Sequence, residues 1–503
     1  MQGKILAILF VLMSTVASVN AQHTYYISSS SGSDGNTSAQ AESNATPWAH
    51  LPGMAACTGS CASYKPVSGD RFILKGCDTW TASSFPITWS WSGTSGNNIY
   101  VGVDKTWYNT TTCASAWNRP VFTAGGATIA GTYNVFWRMA SGADYNTIDN
   151  IEWTGQYWSG NPGYGDLEAI TFQATDYNTF TNNYIHGWTH ASGGDDAYVG
   201  ILGDTNAPHC DHCTFEYNII EDADGTNGGD SGEATYALGG TFAYNVIHDT
   251  SNGILLSGAA VVHDNYVYNI NQSFDSTSHE NGFEINGQDG PDYIYDNVFA
   301  NLTAVSLFLG GFSYPVDLWN NVIYPGNNAN SPQLEGRDGS WSGLFANNTI
   351  YDSKSQNCFV QVGSGPLSLT LANNHCISSA GLSTTAYSTQ TNLIETPSAA
   401  VANTSPKFDD YTSAQKCMFA PVAATNSTVG AGTNLTSSWP SGYATSDTTC
   451  GCVVSTSNQV SCPARTPNAR PTSGAWDIGA FEFGNKPAPA APTALTGIVK
   501  SGS

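Results

Sequence analysis

The sequence predicts an all-β solenoid, in which short strands return at intervals and stack as successive coils. Two observations support this: a six-residue pattern of apolar residues and asparagine recurs, and apolar residues alternate in twos with almost no helical periodicity. A third observation is that only 11% of the 503 residues are charged. Coiled coils, helical bundles and disordered tails need many charges, so the composition excludes them.

The recurring pattern is an apolar residue, two others, an asparagine, one other residue and a second apolar residue. The asparagines lie 20 to 35 residues apart, as expected for coils that vary their loops. We predict one structural, internal asparagine ladder that accepts the bend of each coil and passes amide hydrogen bonds between coils. The asparagines are Asn183, Asn218, Asn245, Asn265, Asn297, Asn321, Asn348 and Asn374. The flanking apolar residues are Phe180, Phe215, Phe242, Val262, Ile294, Leu318, Phe345 and Leu371 before them, and Ile185, Ile220, Ile247, Val267, Phe299, Ile323, Ile350 and Cys376 after them.

The first residues have the features of a secretory signal peptide: Lys4, an apolar run over Ile5–Met13, and small residues before Ala21. No other stretch approaches the roughly 20 apolar residues of a membrane span. We therefore expect a secreted protein, extracellular or periplasmic, without membrane association. The predicted organisation is a signal peptide (1–21), N-terminal coils and cap (22–120), a repeat body with the active-site face (121–380), irregular C-terminal capping coils (381–484) and a Pro/Ala-rich tail (485–503).

The chain has twelve cysteines, an even number that favours disulfides in an oxidising compartment. Cys358 and Cys376 should pair, because they lie in consecutive strands of the repeat. The sequence leaves the other pairings open. The segment His209–Cys213 offers four potential zinc ligands, but neighbours so close in sequence cannot all converge on one ion. We predict a structural disulfide there and no metal site.

Segments at both ends of the mature chain carry a family resemblance. Tyr25–Ser28, Gly32–Gly35 and Gly69–Leu74 resemble the start, and Trp476–Phe483 the last coil, of secreted right-handed parallel β-helix proteins, the pectate-lyase-like superfamily. The resemblance covers most of the mature chain. It implies a single-stranded right-handed parallel β-helix with irregular C-terminal capping coils, of the carbohydrate-active type. Such a fold hosts many reactions, so the reaction must be inferred from the site.

A candidate active site lies on a second set of strands, most of which end in glycine. Strand alternation places Tyr236 and Leu238 in the core and Glu233 and Glu284 on the outer face. Because neighbouring coils lie about 4.8 Å apart, carboxylates in equivalent positions would form one column. The predicted column comprises Asp196, Glu233, Glu280 and Glu284, with Asp195 and His279 beside it.

Paired carboxylates are typical of glycoside hydrolases, in which one protonates the leaving oxygen while the other activates water or attacks the sugar. We predict Glu280 or Glu284 as the general acid and Asp196 or Glu233 as the base or nucleophile. The segment Gly193–Ile201 resembles the paired-Asp strand of polygalacturonase-type hydrolases, whose accompanying Gly-His-Gly and Arg-Ile-Lys motifs are absent here. The predicted substrate-binding residues are Asp195, His279, Trp188, Tyr198 and Arg337.

The charge balance narrows the substrate class. Lys and Arg number 15 against 39 Asp and Glu, a net charge of −24, which excludes a nucleic-acid partner. Between Val121 and Pro406 the basic residues are Arg138, Arg337 and Lys354, too few for a basic groove that binds a polyuronate. The preferred prediction is therefore a monomeric glycoside hydrolase on a neutral or weakly charged polysaccharide, with no required cofactor.

Two alternatives remain open. A Ca²⁺-dependent lyase on a uronic-acid polymer would use Arg337 as base, with Ca²⁺ bound by oxygen ligands from Asp195, Asp196, Asp230 and Glu233. A non-catalytic, glycan-binding surface protein is the other alternative, because this fold changes function freely. Sugars could stack on Trp153, Trp158, Trp188, Trp319 and Trp341, although core packing explains these tryptophans equally well.

Overall fold

The computed structural model is a parallel β-helix with little helical structure. The predicted signal peptide and the Pro/Ala-rich tail lie outside the residues that it describes. The described residues are 22–130, 134–158, 167–190, 198–203, 209–221, 232–270, 281–302, 305–310, 313–324, 334–336, 342–352, 357–361, 368–382, 388–403, 418–455 and 458–484.

Each coil contributes strands to three parallel ladders. Strands Gly232–Ala243 and Asn252–His263 run through both the first and the second ladder. These two long strands join the two ladders into one sheet. The first ladder also contains Ile87–Trp89, Asn134–Met139, Leu167–Phe172, Tyr198–Leu202, Phe283–Ile285, Leu307–Leu309, Leu334–Gly336 and Phe359–Gln361. The second also contains Thr24–Ile27, Arg71–Gly76, Ile99–Tyr108, Asn146–Asp149, Thr179–Thr181, Thr214–Glu216, Asp292–Tyr295, Val316–Trp319, Ser342–Ala346, Ser368–Ala372 and Ser388–Gln390.

The third ladder forms a separate parallel sheet. Its strands are Thr79–Trp80, Val121–Ala127, Glu152–Trp158, Tyr184–His186, Ile219–Glu221, Val246–His248, Tyr266–Ile270, Val298–Leu302, Val322–Tyr324, Thr349–Tyr351, His375–Ile377 and Leu393–Glu395, and Thr189–His190 pairs with Glu152–Trp158. The helices are short: Ser38–Ala41, Gly59–Ser63, Pro397–Asn403 and the 3-10 turn Ala82–Ser84. An antiparallel hairpin joins Val453–Val454 to Val460–Ser461.

The core consists of side chains stacked in register from coil to coil. In the second ladder Phe180 pairs with Phe215, and Phe215 with Phe242, so that their rings form one row inside the helix. All sixteen apolar positions of the repeat are at most 3% exposed. The predicted alternation is therefore confirmed, and a single hydrophobic core runs along the stack.

The eight predicted asparagines form one internal ladder at the bend between the second and third ladders. In each step the backbone N–H of one asparagine donates to Oδ1 of the next, as Asn297 does to Asn321 at 3.1 Å. The side-chain amide donates back to the preceding coil, Asn297 Nδ2 to the carbonyl of Val262 at 2.9 Å. The ladder is confirmed, and Asn392 extends it by one coil. The left-handed residue of the bend precedes each asparagine, as at Asp296 with φ 57°, so the asparagine itself does not accept the bend as predicted.

The C-terminal segment, residues 418–484, lies lengthwise against the outside of the helix. Near the middle of the stack, Asn320 Nδ2 donates to the carbonyl of Ser446 at 2.8 Å. At the N-terminal coils, Arg119 NH1 donates to the carbonyl of Asn458 at 2.9 Å. The segment is irregular, as its composition predicts, and its position along the side of the coils is a feature that the sequence did not predict.

Disulfides tie down several loops and strands. The predicted bond between Cys358 and Cys376 is present, with their Cα atoms 5.9 Å apart. Cys210 and Cys213 also form the disulfide predicted for their motif. The other described pairs are Cys57–Cys61, Cys77–Cys113 and Cys452–Cys462. Within the part of the chain that the structure describes, no helix has the length and apolar character needed to cross a bilayer.

Candidate functional site

The predicted catalytic face corresponds to the outer side of the first ladder. Phe283 and Ile285 are fully buried in the core, so Glu284 between them projects to the outer side, as predicted. Residues at equivalent outward positions pair along the ladder register. We call four of them the outer row: Leu255, Glu284, Phe308 and Glu335. They are 3%, 4%, 7% and 7% exposed, so this row is shielded from bulk solvent.

The outer row contains a second carboxylate that the sequence analysis missed. Glu335 pairs with Phe308, and Phe308 pairs with Glu284, so the two glutamates are two coils apart. With about 4.8 Å between neighbouring strands, their Cα atoms are separated by about 10 Å. The strand Leu334–Gly336 has three residues, too few for an alternating pattern to emerge. Its one signal is a glutamate directly after an inward-facing leucine.

Hydrogen bonds hold the carboxyl group of Glu284 from behind. Asn281 Nδ2 donates to Glu284 Oε2 at 2.7 Å, and the backbone N–H of Asn281 donates to Asn252 Oδ1 at 2.8 Å. Asn252 Nδ2 in turn donates to Glu233 Oε1 at 2.9 Å. All four side chains are at most 4% exposed. A buried chain of amide and carboxylate groups therefore connects Glu233 to Glu284 and fixes the orientation of both.

Glu233 does not belong to the outer row of Glu284, and its predicted role as base or nucleophile stays a prediction. It pairs with Asn252 and stands two residues before Thr235, which pairs with the core residues Ile201 and Ile254. The preceding Gly232 faces the core residue Trp188, and the side chain of Glu233 is 1% exposed.

The strand that carries Glu233 has a local irregularity. Ala237 has a left-handed φ of 55°, and the pairing register shifts between Thr235 and Leu238. The prediction counted back through this irregularity, and one extra residue exchanges the two faces of a strand. Tyr236, which was predicted in the core, is therefore partly exposed.

Other predicted site residues cannot be brought into this geometry. Asp195, Asp196, His279, Glu280 and Arg337 lie outside the described residues, as does the predicted calcium ligand Asp230. Tyr198 begins the strand Tyr198–Leu202, where it pairs with Leu167 and Gly232.

Trp188 was predicted to bind substrate, and the structure contradicts this. Its side chain is 1% exposed and belongs to the hydrophobic core. It packs so closely on Gly232 that a Cβ atom there would lie 2.8 Å from the indole Nε1. Trp153 and Trp319 are also 1% exposed, so core packing is the correct reading of these three tryptophans.

Positive charge is remote from the outer row within the described residues. Arg138 lies on the first ladder five coils before Glu284, about 24 Å away at one strand spacing per coil. Its NH2 donates to Gln173 Oε1 at 3.2 Å.

Two clusters elsewhere contain metal-ligand atoms close together. His209, Asp211 and Asp289 each offer one such atom within 4.8 Å of the others, and His209 Nδ1 lies 3.0 Å from Asp289 Oδ2. Burial, and then repulsion from Asp289, raises the pKa of Asp211 to about 6. The third group comes from a distant coil, which a motif confined to His209–Cys213 could not reveal. These three side chains could hold a divalent cation.

The second cluster is a closed ion network on the third ladder. His248 Nε2 lies 2.9 Å from Glu221 Oε2, and its Nδ1 lies 2.6 Å from Asp249 Oδ2. Burial opposes the charged form of His248, but its two carboxylate partners raise the pKa of this imidazole to about 9. The hydroxyl of Tyr184 also donates to Glu221. Both ring nitrogens are used, so this cluster is better suited to an ion network than to metal binding.

No protein-family model and no curated protein sequence matches the chain. Among solved structures it is similar to pectate lyase Pel9A, at 16% identity over 92% of this chain and 97% of that chain, with a TM-score of 0.38. A mannuronic acid specific polysaccharide family 6 lyase from human gut microbiota is 12% identical over 66% of this chain and 79% of that chain, with a TM-score of 0.42. The GH136 lacto-N-biosidase from Eubacterium ramulus is 11% identical over 74% of this chain and 68% of that chain, with a TM-score of 0.37. Likenesses this weak say nothing about which residues act or which reaction occurs.

Proposed function

We propose that the protein is a glycoside hydrolase that cleaves a neutral or weakly charged polysaccharide at the outer row. The observation that carries this proposal is the pair Glu284 and Glu335, two coils apart on one face. Carboxyl groups about 6.5 to 9.5 Å apart leave room for an attacking water, whereas a direct nucleophile needs about 5 to 5.5 Å. Two strand spacings of about 4.8 Å favour the longer separation, and therefore inversion at the anomeric carbon.

The surroundings of the two glutamates suggest their roles. Glu284 Oε2 accepts a hydrogen bond from Asn281, which orients the carboxyl group that gives its proton to the leaving glycosidic oxygen. Glu335 takes a proton from water as the water oxygen bonds to the anomeric carbon and the glycosidic bond breaks. Phe308 stands between them in the row and keeps their surroundings apolar. Glu233 is a positioning residue that acts through Asn252 and Asn281.

Several properties of the chain favour hydrolysis over β-elimination. Elimination needs a base and positive charge to neutralise the uronate, and between Val121 and Pro406 the sequence offers three basic residues, Arg138, Arg337 and Lys354. Hydrolysis by a carboxylate pair needs no resident cofactor. The five described disulfides and the N-terminal signal-like segment favour export, and we propose that the enzyme acts as a monomer outside the cytoplasm.

The test is a panel of neutral and uronic-acid polysaccharides, assayed for new reducing ends and for unsaturated uronates, with and without chelator. Glu284→Gln and Glu335→Gln should each lower turnover at least about a hundredfold with an unchanged melting temperature. Glu216→Gln, an outward carboxylate on the second ladder, is the matched control and should keep full activity. Unsaturated products that disappear with chelator would replace this proposal with the calcium-dependent lyase.

A second experiment separates the two roles. On an aryl glycoside with a good leaving group, Glu284→Gln should recover most of its activity, because the leaving oxygen no longer needs a proton. Glu335→Gln should stay inactive on the same substrate. NMR of the first product should show the inverted anomer. A retained anomer, or equal activity of both variants on the aryl glycoside, contradicts the assignment.

A further inference from the structure

A groove of about 670 Å³ lies over a different ladder from the outer row. It lies over the third ladder at its N-terminal end, between the loop that carries Trp117 and the strand Tyr184–His186. Its volume is within the range of about 300 to 1,000 Å³ that is usual for small-molecule sites. The proposed hydrolysis does not use any of these residues.

The C-terminal segment defines one end of this groove. From Val246 to Ile377, the outer face of the third ladder packs against Phe419, Phe481 and neighbouring residues of that segment. The strand Tyr184–His186 is not part of this apolar cluster, and Asn458 of the C-terminal hairpin closes the groove at its edge. The groove therefore lies on a part of this face that is outside the apolar contacts of the segment.

The groove walls are held rigid by neighbouring groups. The rings of Tyr184 and His186 stack with their centroids 4.0 Å apart, and His186 Nε2 lies 3.1 Å from Glu152 Oε1. Trp117 is half-buried, and its Nε1 lies so close to the backbone that a Cβ on Gly76 would be 2.5 Å away. An aromatic wall that is already fixed loses little side-chain entropy when a ligand binds.

The polar groups of the groove favour an uncharged ligand. Arg119, its one permanent cation, is 2% exposed, and it already donates from Nε to the carbonyl of Asn182 at 3.0 Å and from NH1 to Asn458. Its charge is balanced by Glu152, which stands 19% exposed in the groove. Among the residues that the structure describes, none donates a hydrogen bond to Glu152 Oε2. The groove lining thus presents an unused carboxylate oxygen, which favours hydroxyl donors and repels phosphates and uronates. A second cation, Lys105, lies outside the lining, with its Nζ 4.9 Å from the ring centroid of Trp117.

We propose that this groove binds a neutral oligosaccharide, as a second binding site separate from the hydrolytic face. Hydroxyl groups would donate to Glu152, and the apolar face of a sugar ring would pack on Trp117. Its position on another ladder lets one polymer chain be held while a different stretch enters the outer row. The binding itself does not depend on the proposed hydrolysis.

Calorimetric titration of cellohexaose, xylohexaose, mannohexaose and hexagalacturonate tests the proposal. The protein is used as Glu284→Gln, so that the probes stay intact. One neutral probe should bind, and Trp117→Ala or Glu152→Ala should weaken that binding at least tenfold, or remove one site from the stoichiometry. Trp117→Tyr should bind nearly normally. Trp107→Ala, a partly exposed tryptophan outside the groove, is the control and should leave binding unchanged.

The outcomes separate this proposal from the hydrolase proposal. Trp117→Ala in the otherwise native protein should keep full activity on a small aryl glycoside while losing retention on the polymer. Melting temperatures within a few degrees of the parent show that both variants fold. Failure of all three neutral probes to bind, unchanged binding in both variants, or tighter binding of hexagalacturonate would overturn the second site. If the neutral probe binds but the native protein cleaves no glycoside, the result contradicts the hydrolase proposal and leaves the binding site in the groove supported.

Discussion

Replacing Asn297 by leucine removes the central rung of the internal ladder with little change in side-chain volume. Asn297 Oδ1 accepts from the backbone N–H and from the Nδ2 of Asn265, at 3.0 and 2.9 Å. Its Nδ2 donates to the carbonyls of Val262 and Tyr295 and to Asn321 Oδ1. The largest loss is the buried N–H of Asn265, because a buried donor without a partner costs about 1 to 3 kcal/mol. With the weaker carbonyl contacts added, we expect about 3 kcal/mol of destabilisation.

The ladder supplies its own control at the last coil. Asn392 accepts from the backbone N–H of Asn374 at 2.8 Å and donates to the carbonyl of Leu371, but its side chain is partly exposed. Water can replace these contacts in Asn392→Leu, so we expect a loss below about 1 kcal/mol.

Urea unfolding of both variants, followed by tryptophan fluorescence and circular dichroism, measures these differences. The denaturant slope should match that of the native protein, since the buried area barely changes. The reasoning is refuted if Asn297→Leu is within about 0.5 kcal/mol of the native protein. It is equally refuted if the exposed and the buried rung cost the same.

Three further predictions concern buried charges and a disulfide. The pKa of His248 is about 9 in the folded protein against an ordinary 6.5, so its stabilising contribution, about 3 kcal/mol, is complete below pH 6.5 and is lost as pH rises through 9; urea titrations at pH 6 and 9 should show a smaller pH effect in His248→Gln. Burial raises the pKa of Asp292 to about 8 from 3.8, so ionisation of Asp292 destabilises the fold as pH rises from about 4 through 8, and Asp292→Asn should be more stable relative to the native protein at pH 9 than at pH 5. Replacing Cys358 and Cys376 by serine should lower stability by about 3 kcal/mol, measurable by urea unfolding, and no change would mean that the bond constrains little.

The internal ladder could be predicted from the sequence because its geometry is local. An asparagine with an apolar residue three positions before it and another two positions after it indicates one bend. Eight occurrences of that pattern indicate a stack of coils. Asn392 was not predicted because the residue three positions before it, Thr389, is not apolar. The left-handed residue before each asparagine varies among asparagine, aspartate, tyrosine and threonine, so composition did not mark it.

The candidate site was only partly predictable, because faces in a strand depend on an unbroken count. Glu284 was placed correctly between two core residues in a regular strand. Tyr236 was placed wrongly in the core because Ala237 adds one residue to the count, and an alanine gives no sequence signal of a left-handed backbone. Trp188 shows the same limit for burial, because the sequence does not distinguish an aromatic ring in the core from one that binds sugar. In the structure Trp188 packs against Gly232, where a side chain would not fit.

The lengthwise C-terminal segment changes how the whole stack should unfold. In a solenoid each coil contacts its neighbours, so coils at the ends can fray independently. Here the hydrogen bond from Arg119 to Asn458 joins residues 339 positions apart, and Asn373 near the other end donates to the carbonyl of Thr433 in the same segment. Opening either end therefore breaks contacts shared with the middle. The molecule should therefore unfold as one cooperative unit. The contacts between the coils and residues 418–484 join positions far apart in sequence, so we expect them to form late in folding.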